Sequence, residues 1–484
     1  MFHTIHELEM AIRDWLDEYR FYSKQSWVPP GVTDAGEKIH DVVVVGAGQS
    51  GLALTYSLKL RGVRRIVAVD AQKADQSGPW STFARMTHLR TPKNVPGPEC
   101  FNPLLSFRAW FCAAYTKEQY DQITFIATEH WREYLAWFRR MIDVDTRNET
   151  RVTSIRWNAS ESCLEVATER IGDAASKVLY TRRVCLATGI TSAGRWSAPA
   201  ELVRGLPESA YTGAWEDIPF GDLVGQDVAV IGAGASGFDN ATAAIDAGCE
   251  SVAIFSRSPF PRGDTFFDLW RGRNDTATFP NETGSPAADL LDPLVAYNAN
   301  VSDDERLRIL SSVFRAGRSP ANSEYLSRVR QLDKMSVYEE EPVDRIEYLS
   351  ESNRVAVHSK GNIHEFDKLI FATGVEPGLK HRPEFDAIRD HILTWADVVG
   401  DDRKLVLGLE AYPKLTSSFR LQPNSPENAF VSNIYSLADI VHTTVGLQSI
   451  PHVVTVVADD IGRSLFQAHG IESVALIVDR QESQ

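Results

Sequence analysis

Residues 42–51 read VVVVGAGQSG and residues 228–237 read VAVIGAGASG. No other feature restricts the fold so tightly, because both glycine-rich loops stand between a strand-like run and a helix-like run. Val42 to Val45 form a β-branched run before Gly46, and the helical pattern LALTYSLKL follows Gly51 and stops at Arg61-Gly62. A second β run, RIVAV, ends in Asp70, nineteen residues beyond Gly51. Strand, G-x-G-x-x-G, helix, strand and acid, in that order, are the fingerprint of a dinucleotide-binding βαβ unit. Gly46 permits the tight turn, Gly48 lets the backbone approach a pyrophosphate, and Gly51 lets helix and strand pack closely. Gln49 and Ser50 lie in the same binding loop, and Asp70 is placed to accept from both hydroxyls of an adenosine ribose.

The second loop repeats the frame. DVAVI leads into Gly232, Gly234 and Gly237, with Ala235 and Ser236 between the last two, and the helix SGFDNATAAIDA ends at Gly248. The next strand, SVAIF, ends not in an acid but in Ser256-Arg257. Losing the acid removes repulsion toward a ribose 2′-phosphate, and a neighbouring Arg can bind that phosphate bidentately. The second site is therefore expected to prefer NADPH to NADH. Arg262 is a second candidate for the same phosphate; a solvated loop charge is the alternative for each of the two.

Two further runs, CLATG at 185–189 and FATG at 371–374, each end a strand-like stretch. The order loop, ATG, loop, ATG implies one nucleotide-binding unit interrupted by the other, and we take Gly189 and Gly374 as cofactor contacts. The expected fold is α/β: two Rossmann-like dinucleotide-binding domains, the second inserted in the first, with a helical insertion. The expected division is 1–38 for an N-terminal helix and linker and 39–210 for the first part of the first domain. The inserted domain follows at 211–365, its helical insertion at about 264–340, and the first domain resumes at 366–484.

Composition narrows the class. A chain of 484 residues exceeds one ordinary core. Its net charge of −15 opposes a nucleic-acid partner, which requires a basic face. Cysteines at 100, 112, 163, 185 and 249 form no C-x-x-C pair, so zinc spacing and a thioredoxin-like dithiol are both absent. That pattern suits a reducing cytosol, and a cytoplasmic protein is expected. No apolar run approaches bilayer-spanning length, so no membrane partner is expected. The N-terminal MFHTIHELEMAIRDWLDEYR, interrupted by acids, is read as an amphipathic helix with Ile5, Leu8, Ile12, Trp15, Leu16 and Tyr19 on its apolar face, ended by WVPPG.

This order of motifs resembles the single-component flavin-dependent monooxygenases: the flavin-containing monooxygenases, the ornithine/lysine N-hydroxylases and the Baeyer–Villiger monooxygenases. The resemblance implies FAD on the first loop and NADP(H) on the second. It also implies oxygen activation as a C4a-(hydro)peroxyflavin and a small-molecule substrate oxygenated at nitrogen, sulfur or a ketone. SGPW at 77–80 resembles the segment after the FAD acid, whose aromatic (here Trp80) lies near the flavin, and LRTP at 89–92, with Thr91, resembles the next FAD-proximal segment. The tail GLQSIPHVVTVVADDIGRSLF resembles the closing helix. Its first turn near Gln448 would offer N–H groups and a helix dipole to the flavin ring. Asn94 and Arg90 are the catalytic candidates from the same segment, with a turn Asn flanked by Pro and Gly as the alternative for Asn94.

One departure stands out. The family's F-x-G-x-x-x-H fingerprint expects a histidine nineteen residues ahead of the second loop; that position is Gly213, and no histidine lies from 191 to 230. A reductase or oxidase of the same fold, or a flavin-bound regulatory protein without turnover, are therefore the competing expectations. The expected partners are the small-molecule substrate and O2, and nothing in the sequence opposes a homo-oligomer. Phe266, Phe267 and Trp270, or Tyr412 and Phe419, are candidate walls of a substrate pocket.

Overall fold

The computed structural model describes residues 2–94, 96–123, 125–173, 176–259, 300–316, 333–400, 405–437 and 449–482. Two sheets organise them. The first runs in the order Thr146–Arg147, Ile66–Val69, Lys38–Val45, Ser176–Leu186, Cys163–Arg170, Thr150–Asn158. Its nucleotide-binding part is parallel, and the Thr150–Asn158 and Cys163–Arg170 strands extend it as an antiparallel meander. Val42, Val43 and Val44 are fully buried, as a strand covered on both faces requires.

The chain comes back to this sheet late. Ile434–Ser436 pairs in parallel with Ser176–Leu186, and the closing helix Ile450–Glu482 packs along Gln49–Leu60. Val453, Val454, Val457, Ile461 and Leu465 form its buried face. Apolar residues at these helical spacings are what anchor it, and Pro451 sits in its first turn, where its missing N–H costs no helical hydrogen bond.

The second sheet has five parallel strands in the order Tyr211–Gly213, Lys368–Phe371, Asp227–Ile231, Ser251–Phe255, Met335–Tyr338. The expected return to the first unit at residue 366 is therefore too early, because Lys368–Phe371 hydrogen-bonds beside the strand that carries the second glycine loop. The helical insertion expected to reach residue 340 also stops short, since Met335–Tyr338 is an edge strand of this sheet. Of the insertion, the helix Asp303–Ala316 is described; its Leu307 and Leu310 are buried, and Arg306 Nη1 donates to Leu415 O at 2.8 Å. The two crossings between the sheets lie side by side: Gly194–Trp196 pairs antiparallel with Val375–Pro377.

The N-terminal helix spans Ile5–Glu18, capped by Thr4, and buries Leu8, Ile12 and Leu16. It ends well before WVPPG. Arg20 adopts a left-handed φ of 52° and Phe21 N–H closes onto Leu16 O at 2.9 Å, leaving Tyr19 64% exposed. A local turn, not the prolines, stops it. No described helix is long and apolar enough to cross a membrane.

His40, on the Lys38–Val45 strand, is buried, and its Nδ1 has no hydrogen-bond partner among the described residues. Burial, aided by the Lys38, Arg147 and Arg65 charges, pushes its imidazole down to about 4. Between that value and the usual 6.5 the unfolded chain binds a proton that the folded chain refuses. The stability is therefore complete above the unfolded value and is lost as pH falls through this window. A melting-temperature series is expected to decline over that range, and His40→Gln to flatten the decline; an unchanged slope in the variant would assign it elsewhere.

Candidate functional site

Each glycine loop is built the same way, down to the backbone atoms. Gly46 has φ 104°, its N–H donates to Val69 O at 2.7 Å, and a Cβ there would stand 2.3 Å from Ala187 O. Gly232 has φ 115°, its N–H donates to Phe255 O at 2.9 Å, and a Cβ would stand 2.4 Å from Ala372 O. Left-handed φ and a carbonyl in the Cβ position both exclude a side chain. Ala187 and Ala372 are the alanines of the two ATG runs; their N–H groups donate to Val45 O at 2.7 Å and to Ile231 O at 2.8 Å. Each ATG turn thus lays its alanine carbonyl over the first glycine of a loop. Sequence reasoning took these runs as markers of order and their glycines as cofactor contacts, and did not foresee the role of the alanine carbonyls.

The third glycines seat the helices. A Cβ on Gly51 would lie 2.0 Å from Gly46 O, and one on Gly237 would lie 1.9 Å from Gly232 O. Gly48 and Gly234 are the N-caps of Gln49–Leu60 and Ala235–Ala247, neither with a side-chain cap nor with an acid in the first turn. Both helix N-termini keep amide donors free for an anion, the requirement of a pyrophosphate site. Ala235 is buried, and Ser236 O accepts from Asn240 Nδ2 at 2.8 Å. Gly189 and Gly374 both adopt left-handed φ, 74° and 86°, with open space where a Cβ would be.

Asp70 ends the Ile66–Val69 strand with its carboxylate buried. Oδ2 accepts from Ala47 N–H at 2.7 Å and Oδ1 from Gln72 N–H at 2.8 Å. A carboxylate has about four acceptor directions, so lone pairs remain for ribose hydroxyls while the backbone holds the group in place. Beside it opens a shallow cleft lined by Ala47, Gly48, Asp75, Trp80, Arg132 and Arg139. Trp80 Nε1, Gln49 Oε1 and Thr188 Oγ1 are buried around this loop without hydrogen-bond partners among the described residues. Orphaned donors and acceptors beside an uncapped helix fit a polar ligand such as FAD. Arg132 and Arg139, on the helix Thr128–Ile142, were missed from sequence. Their seven-residue spacing marks one helix face but does not say that the face borders a cleft.

The second loop differs where the sequence does. Ser256 is buried, and its hydroxyl donates to Ser258 O at 2.5 Å. Its proton is thus committed to its own turn. Arg257 is exposed and has no hydrogen-bond or ion-pair partner among the described residues.

Asn94 is exposed in the turn after the His88–Pro92 strand. Arg90 and Thr91 lie on that strand. Gln448, Arg262, Phe266, Phe267 and Trp270 lie outside the described residues. Tyr412 and Phe419 are buried, Phe419 with a left-handed φ of 65°.

Two glycine loops with matching ATG turns, one followed by an acid and one by an arginine, define a flavoprotein with separate FAD and NAD(P) units. The comparisons with known proteins agree. Residues 43–191 match a family model described as FAD-NAD(P)-binding. An FAD-dependent urate hydroxylase of Xanthomonas campestris pv. campestris is 30% identical over 428 residues, 88% of this chain and 84% of the relative. Among solved structures, ornithine hydroxylase of Pseudomonas aeruginosa superposes with a TM-score of 0.64 at 16% identity, over 89% of this chain and 99% of that one. The ornithine N-hydroxylase of Kutzneria sp. 744, solved with reduced FAD, NADP⁺ and L-ornithine, gives 0.62 at 15% identity, over 88% and 99%. At these identities the two structures share the fold. The chain belongs to the family of the FAD-dependent urate hydroxylase. It is a flavin-dependent oxidoreductase that binds FAD and NAD(P).

Proposed function

We propose that this protein is an NADPH-using hydroxylase of a small molecule, and that urate, the substrate named for its 30%-identical relative, is the first compound to test. Oxygenation at nitrogen, sulfur or a ketone, the chemistry of the wider family, is the broader range. The observation that carries the reading is the duplicated loop-and-ATG geometry, which supplies a place for an electron store and another for an electron donor in one chain. Bound FAD supplies the two-electron reservoir and the site of reaction with oxygen. The protein's own part is to hold and orient: the Gly46–Gly51 amides take the pyrophosphate, Asp70 the ribose, and Trp80 closes the cleft wall. Gly232, Gly234 and Gly237 hold the second nucleotide, with Arg257 on its 2′-phosphate. Asn94 and Arg90 remain the proposed residues at the reacting end, on family resemblance alone.

The test is to reduce the FAD-loaded protein anaerobically with NADPH, then admit oxygen with and without urate. Hydroxylated product matching the NADPH consumed supports the proposal. Hydrogen peroxide in its place, with each candidate substrate, would assign the protein as an oxidase or reductase, and no flavin reduction would leave a binding protein. Arg257→Ala is expected to weaken NADPH binding about tenfold or more, the worth of one charge-assisted phosphate contact, and to leave NADH unchanged. Titration with both nucleotides checks it; equal losses would remove the phosphate role.

A further inference from the structure

The segment Pro79–Thr87 begins in the first cleft, crosses against the second unit and returns to the first. On the first unit it is tied at Trp80, in the cleft wall, and at Met86 and Thr87, whose carbonyls accept from Thr128 Oγ1 at 2.6 Å and Thr128 N–H at 2.9 Å. Between these ties it reaches across. Phe83 meets Trp196 edge-on at 5.4 Å, Trp196 stacks on Trp215 at 5.9 Å with rings 2° from parallel, and Met86 packs on the core around Val228 and Val230.

Arg85 makes the closest polar contacts. Its Nη1 donates to Ala214 O at 2.6 Å and its Nη2 to Glu216 O, while the guanidinium lies 5.3 Å over the Phe220 ring. The two carbonyls flank Trp215, so one side chain grips the backbone on both sides of that indole. The indole in turn covers Gly213: a Cβ there would lie 2.2 Å from the ring. From this point the contacts run into the second nucleotide site. Ala214 N–H donates to Phe371 O at 2.9 Å, and the next residue, Ala372, places its carbonyl over Gly232.

We propose that Arg85 is a positioning residue for flavin reduction by NADPH: through Trp215 and the Phe371–Ala372 strand end it sets where the second glycine loop stands relative to the first. The position at which the family expects histidine is occupied here by a glycine under an indole, and the strap bearing Phe83 and Arg85 clamps that indole. A guanidinium suits the task because its rigid fork reaches two carbonyls at once, which a single ammonium does not. Ordinary packing between two cores would lower stability without distinguishing one reductant from another. A misplaced donor site slows only the reaction that requires alignment.

The inference rests on the proposed function only in that NADPH reduces the bound FAD, balanced as NADPH, a proton and FAD going to NADP⁺ and FADH2. The experiment uses the FAD-loaded full chain and two reductants, NADPH and dithionite, under anaerobic conditions. Arg85→Ala is expected to keep its FAD content and its dithionite rate within about twofold, while the saturated NADPH rate falls about tenfold to a hundredfold. Arg85→Lys is expected to recover part of the loss. Should Arg85→Ala fail to fold, Arg85→Lys and Trp196→Phe carry the test, each with a selective fall in the NADPH rate. Wild-type NADPH rates in the folded variants, or equal falls with both reductants, would overturn the positioning role alone. A wild-type protein that NADPH leaves oxidised would overturn the proposed function and this role together.

Discussion

Gly51→Ala is expected to purify without flavin, and Gly237→Ala to purify yellow but no longer be reduced by NADPH. The added methyl would stand 2.0 Å from Gly46 O in the first case and 1.9 Å from Gly232 O in the second. Neither contact can be relieved by a side-chain rotation, since both partners are backbone. The helix has to move off its strand, and its uncapped N-terminus moves with it. Overpacking of this kind costs about 1–3 kcal/mol or more, and the displaced amides lose their aim at the pyrophosphate. A loss of about a hundredfold in affinity for the corresponding nucleotide follows. Gly234→Ala separates the two components of this effect, because nothing lies within 4 Å of a Cβ there. It is expected to leave the melting temperature unchanged and to weaken NADPH only by blocking its approach. Flavin absorbance, calorimetry and NADPH titration measure all three variants; a Gly51→Ala protein with full flavin content would contradict the assignment of the first loop.

The second large effect is expected at Asp70. In Asp70→Ala the N–H of Ala47 loses its acceptor in a buried setting, and the N–H of Gln72 loses its acceptor at an exposed residue where water can replace it. The buried unsatisfied group costs about 1–3 kcal/mol, so a stability loss of that size is expected even without cofactor. FAD affinity is expected to fall further, because the ribose loses its acceptor as well. Asp70→Asn divides the two roles: one carboxamide oxygen still accepts a backbone N–H, while the amide nitrogen faces a donor with a donor. Denaturant unfolding of the apoprotein and FAD titration give the two numbers. An Asp70→Asn protein that binds FAD as tightly as wild type would leave Asp70 a purely structural role.

What the sequence made legible is what backbone geometry demands of residue type. Gly46, Gly51, Gly232 and Gly237 were readable because no other residue meets a carbonyl at the Cβ position, and Asp70 because its distance from the loop follows from one helix and one strand. The α/β class and the interrupted order followed from the same pieces. The residue-366 boundary was misjudged because LIFA reads equally well as a strand of either sheet; which neighbour it pairs with is a long-range fact. The end of the N-terminal helix was misplaced because Arg20 turns the chain without glycine or proline to announce it. Arg85 carried no signal at all. Its value lies in two carbonyls about 130 positions away, and a carbonyl has no residue type to read.

The paired crossings at Gly194–Trp196 and Val375–Pro377 also bear on the order in which the molecule can form. The described strands of the second sheet are contiguous between Tyr211 and Phe371, whereas the first sheet receives Ile434–Ser436 only afterwards. A chain emerging from the ribosome therefore has every described strand of the inserted sheet before the outer one has its own. During that interval the first glycine loop lacks the closing helix that covers Gln49–Leu60, so the apolar face of that helix waits on synthesis of Val453 to Leu465. The unit of the second glycine loop has all its described strands first, and the unit of the first loop is finished last.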